Sequence, residues 1–152
     1  MKRKVHLVTA ITATVCVATF FIATLVVELL GSPEAIAAVK HLIVVPGLFI
    51  LVPAIAATGG SGLALSKSHS ARLVENKKKR MPFIAANGLI VLVPAAIILD
   101  QWASTGSFDM KFYIVQGLEL TAGAVNLTLM GLNVSDGLTM SGRLRSKRKV
   151  AV

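Results

Sequence analysis

With 55% hydrophobic and only 15% charged residues in a chain of 152, and a mean hydropathy of +0.76, this sequence lacks the polar surface that a soluble domain of its size requires. Its net charge of +9 does not call for a nucleic acid, because basic residues beside a bilayer each gain on the order of 1 kcal/mol from anionic lipid headgroups. A lone cysteine, Cys16, excludes an internal disulfide framework, and no metal-ligand spacing, nucleophile elbow or phosphate-binding glycine loop gives soluble catalysis a visible apparatus.

Four apolar stretches organise the chain, at residues 7–30, 41–60, 82–99 and 112–133. Each is near the ~20 residues with which a helix crosses ~30 Å of hydrocarbon. The expected fold is therefore an all-α membrane protein, a single domain built as an antiparallel bundle of four transmembrane helices. Lys2, Arg3 and Lys4 precede the first stretch; Lys67, Arg72, Lys77, Lys78, Lys79 and Arg80 fall between the second and third; Arg143, Arg145, Lys147, Arg148 and Lys149 follow the fourth. These are 14 of the 16 basic residues, leaving Lys40 and Lys111 for the other side. Since positive segments are retained in the cytoplasm, both termini are expected inside a cytoplasmic (inner) membrane, with a basic loop at 61–81 and a basic tail at 134–152.

The opening Met1-Lys2-Arg3-Lys4 imitates a secretory signal, but its apolar run is too long for the usual signal core and reads as a retained span. Along that first stretch Thr9, Thr12, Cys16, Thr19 and Ala23 recur at spacings of three and four, a seam of small groups expected to pack against the fourth stretch. Ser32 and Pro33 form a turn and helix-opening signal, so the second helix is expected to begin near Glu34, ahead of the membrane. Pro46 and Pro53 should interrupt or bend it, and the glycine run at residues 58–62 should end it. Residues 72–76 read as solvated linker or, alternatively, a short interfacial helix. Residues 47–54 and 88–95 match at six of eight positions, either an inverted repeat or the chance agreement of similar membrane helices.

The fourth stretch carries the unexpected chemistry. Gln116, Glu119, Gly123, Asn126, Met130 and Asn133 share one helical face, and a polar stripe in hydrocarbon must face protein or water. Asn87 is expected at the depth of Asn126 and able to pair with it. Glu119, Gln116, Asn126, Asn87 and Asn133 thus define a candidate polar pocket or pathway. His41, Lys40 and Asp100, with Glu119 and Gln116, form a candidate outer ionisable cluster; alternatively Glu28, Lys40, Asp100 and Lys111 merely mark headgroup depth. His41 is also a conceivable ligand for haem b or a quinone, although no second histidine faces it within a span.

These residues support a small, non-enzymatic membrane protein, either an accessory subunit of a membrane complex or a transport component. A haem- or quinone-binding redox protein using His41 and a proton or ion pathway using Glu119 are the alternatives. The expected partners are the bilayer, its anionic headgroups and either further copies of the chain or a larger complex; no nucleic acid is expected.

Overall fold

The computed structural model describes residues 2–66 and 72–140, which are helical apart from two short connections. The helices are α1 (Lys2–Leu30), α2 (Pro33–Leu42), α3 (Phe49–Ser66), α4 (Arg72–Ala86), α5 (Val93–Ser104) and α6 (Met110–Met140). A π-helical turn, Ile43–Leu48, joins α2 to α3, and a second, Asn87–Leu92, joins α4 to α5. Three stretches, Val5–Leu30, Pro33–Gly62 and Lys79–Ser104, are long and apolar enough to cross a membrane. The 31-residue α6 carries Gln116, Glu119, Asn126 and Asn133 and falls outside that set. Large apolar side chains such as Leu30, Phe49, Ile90 and Ile114 stand on the outer surface, where water would disfavour them and lipid would not.

Local chemistry explains the helix ends. Ser32 accepts a hydrogen bond from the Ala35 backbone N–H at 3.3 Å and Pro33 occupies the first turn, where its missing donor costs nothing. Asp109 caps α6 in the same way, accepting from the Phe112 N–H at 3.1 Å. Between α5 and α6 the chain turns through Gly106, whose φ of 72° lies in the left-handed region that favours glycine.

The second helix breaks at Pro46, the break read from the sequence, where Val45 leaves helical geometry (φ −129°, ψ 112°), and Pro53 lies inside α3 without ending it. Three sequence expectations change. The glycine run at 58–62 does not stop α3: Thr58 and Ser61 hydroxyls donate to the Ala54 and Ala57 carbonyls, and the helix continues to Ser66. Residues 72–76 are the first turns of α4 rather than linker, so little of the span 61–81 is loop. Likewise α6 extends to Met140, into the segment expected as tail. Lys67, and the basic residues of 141–152, lie outside the described residues.

Packing rests on small residues that let backbones approach. One apolar cluster joins α1, α3, α4 and α6 through Ala13, Val17, Leu51, Ala54, Ile84 and Met130. A second joins α2, α5 and α6 through Ile36, Leu99, Ala103 and Phe112. The expected seam on α1 is rotated: Ala13, Val17 and Thr24 are buried, Thr19 is exposed, and the most extensive neighbour is α3 rather than α6. Gly47 explains the rotation. A Cβ there would stand 2.6 Å from the Phe20 ring, so glycine at the break admits Phe20 and draws that face of α1 against the α2–α3 rod.

Candidate functional site

α6 presents one face inward along most of its length. Phe112, Gln116, Ala122, Gly123, Asn126 and Met130 are buried and Glu119 and Asn133 half-buried, while Ile114, Leu118, Val125 and Leu132 point outward. The three-and-four spacing read from the sequence thus coincides with the burial pattern of this helix.

At its centre is an ion pair. Because α2 starts at Pro33, Lys40 belongs to the helix that precedes the Pro46 break, and Ile36, Lys40 and Ile43 fall on its buried face. The Lys40 side chain is 0% exposed and that of Glu119 12%, and Lys40 Nζ lies 2.5 Å from Glu119 Oε2. Gln116 Nε2 donates to the same oxygen at 3.1 Å.

Glu28, at the last turn of α1, lies in the electrostatic field of both Lys40 and Glu119. Its Oε1 is buried and has no hydrogen-bond partner; the same holds for Gln116 Oε1. Lys40 is bonded to Glu119, and Glu28 adds a second carboxyl group whose buried Oε1 bonds neither. Ionised, it would carry a negative charge that Lys40 does not already balance.

Next along the bundle, Glu119 and Asn126 line one cavity of about 60 Å³ with Thr24 and Gly88, room for several water molecules. Asn87 Nδ2 donates to Asn126 Oδ1 and to the Ala122 carbonyl, each at 3.0 Å, and Asn126 Nδ2 reaches the Ile84 carbonyl at 3.4 Å. The pair is closed by backbone on both sides. Gly88 packs beside it: a Cβ there would stand 3.6 Å from Asn126 Nδ2, an ordinary van der Waals contact.

His41 takes a different direction from its neighbour Lys40. Its side chain is 66% exposed and Nδ1 stands 3.5 Å from Asp100 Oδ1, an ion-pair separation without hydrogen-bond geometry. The structure thus brings Gln116, Glu119 and Lys40 together and sets His41 with Asp100 as a separate pair. Among the described residues no two histidines face each other as a haem pair would require: His41 faces a carboxylate, and His6 bonds Thr58 and Ser61 near the opposite end of α3, while His69 lies outside the described residues. Asn133 lies apart from Asn126, with a buried, unpartnered Oδ1.

Sequence reasoning missed three features. Glu28 is absent from the polar face read from the sequence, though it lies four residues after the buried Thr24, one helical turn further along the same face, and its Oε1 is buried. The His6, Thr58, Ser61 and Thr9 network joins α1 to α3, with Thr58 Oγ1 3.0 Å from Thr9 Oγ1. Arg80 Nη1 meets Asp136 Oδ2 at 2.8 Å between α4 and α6, a pair signalled only by opposite charges at one end of two stretches. The chain matches no known family model, and neither curated proteins nor solved structures give a significant match.

Proposed function

We propose that this protein is a small transport component of the cytoplasmic membrane, and that Glu28, Lys40 and Glu119 form its proton or monovalent-cation site. In this reading α6 is a fourth crossing, the helices run antiparallel, and both termini and the 67–71 connection face the cytoplasm. The distribution of lysine and arginine supports that orientation. The polar face of α6 supports the crossing, because it is covered by protein while the remaining faces are apolar.

One observation carries the reading: a fully buried ammonium against one carboxylate, with a second carboxylate oxygen beside them left without a partner. With all three groups ionised the cluster holds a charge of minus one. A single proton or monovalent cation neutralises it, and its departure restores the charge, which is the cycle that a coupling site requires. Gln116 steadies Glu119 Oε2, and the cavity between Glu119 and Asn126 offers water a place beside the carboxylate. Ionisable groups at membrane depth characteristically mark such pathways.

Purified protein in liposomes carrying a pH-sensitive dye, driven by a potassium-diffusion potential, tests this. Wild-type protein is expected to move protons or sodium, and Glu28→Gln and Glu119→Gln to lose most of that flux while retaining the helical content and elution of the parent. Flux unchanged in both variants would contradict the assignment.

A further inference from the structure

A metal cation that leaves water must exchange its hydration shell for a cage of protein oxygens around a void of its own size. The side chains around Lys40 form no such cage. Glu119 Oε2 already accepts from the Lys40 ammonium and the Gln116 amide, while Glu28 Oε1 and Gln116 Oε1 are buried and closed to any ion that needs room. Lys40, 0% exposed and tethered by its own helix, fills the place of a monovalent cation against Glu119. The adjoining cavity of about 60 Å³ offers no second cage: the polar side chains on its wall are Thr24, Glu119 and Asn126, and Asn126 Oδ1 already accepts from Asn87.

We infer that the ion taken up at the proposed transport site, on whose assignment this rests, is the proton: the pair Glu28 and Glu119 holds one against the single charge of Lys40, and sodium and potassium are excluded. A proton needs no void. Bound to a carboxyl oxygen it lies within the length of a hydrogen bond, and it turns an acceptor into a donor. Because Glu119 is engaged with Lys40, Glu28 is the resting holder. Protonated, it adds no uncompensated charge beside Lys40 and Glu119, and its O–H is the kind of donor that the buried acceptors of this cluster lack. Thr24 stands one turn before Glu28 on the same face of α1, and Thr24 and Glu119 both line the cavity, where water gives protons a relay toward the pair.

Infrared difference spectroscopy of the full-length protein in lipid nanodiscs detects protonated carboxyls without requiring transport. At neutral pH the wild-type protein is expected to show a carboxylic C=O stretch that shifts in deuterium oxide and keeps its amplitude when sodium chloride replaces choline chloride. Glu28→Gln and Glu119→Gln should each lose that band entirely, because the carboxyl that remains ionises against Lys40. In liposomes, proton flux should persist with choline in place of sodium, and uptake of radioactive sodium should not exceed that of protein-free vesicles. A wild-type protein without the band, a band that survives either substitution or that sodium abolishes, or sodium uptake that Glu28→Gln removes would overturn the proton assignment. The band without flux of any ion would instead remove the transport reading and leave the proton on the pair.

Discussion

Lys40 shows how one residue's role depends on where its helix begins. Read as a sequence, it precedes an apolar stretch and looks like an anchor for headgroups. In the fold, Ser32 and Pro33 start the helix far enough ahead that Lys40 lies among Ile36 and Ile43, against Glu119. Removing one partner of a buried pair strands the other charge, so Lys40→Met should destabilise the protein by about 3 to 5 kcal/mol. Lys40→Met combined with Glu119→Gln removes both charges and should recover most of that loss. Adding Glu28→Gln removes the third charge of the cluster, and thermal unfolding in detergent measures all of these variants; equal damage in the single and triple variants would mean that the three side chains do not compensate each other. Glu119, Gln116 and Asn126 were legible because three-and-four spacing fixes a helical face whatever surrounds it. Glu28 was not, since a carboxylate near the end of an apolar stretch has the same sequence signature whether it meets lipid headgroups or an ammonium.

Among the elements, the two π-helical turns and the break at Pro46 decide which faces meet. Their prolines were visible in the sequence, but a proline alone does not say whether a helix breaks, bends or continues: Pro46 interrupts, Pro53 continues and Pro94 sits in the first turn of α5. The matched segments 47–54 and 88–95 diverge for this reason, with the π turn ending at Leu48 in the first and covering Gly88 to Leu92 in the second. The side of α1 that is buried follows from Gly47, through the close approach of Phe20. Gly47→Ala must displace that ring and crowd the Leu42 carbonyl, 2.9 Å from the new methyl, at a cost of about 1 to 3 kcal/mol. Gly60→Ala, where a Cβ meets nothing within 4 Å, is the matched control and should leave stability essentially unaltered or slightly raised. Equal unfolding temperatures for the two variants would remove Gly47 as the cause of the α1 rotation.

For the whole molecule, apolar runs and basic clusters made the all-helical class and the three most apolar stretches plain from the sequence. α6 is the exception, because its polar face lowers the hydropathy by which a crossing is recognised. If α6 crosses, the pair of Lys40 and Glu119 lies between the two ends of a membrane-spanning helix, where a proton or cation reaches it through the protein rather than through lipid. The most direct test places single cysteines in a Cys16→Ala background at Ser107, before α6, and at Ser146, beyond it, and treats intact cells with a membrane-impermeant maleimide. The account predicts that Ser107→Cys is labelled from outside and that Ser146→Cys is labelled only after permeabilisation; labelling of both from the same side would contradict it.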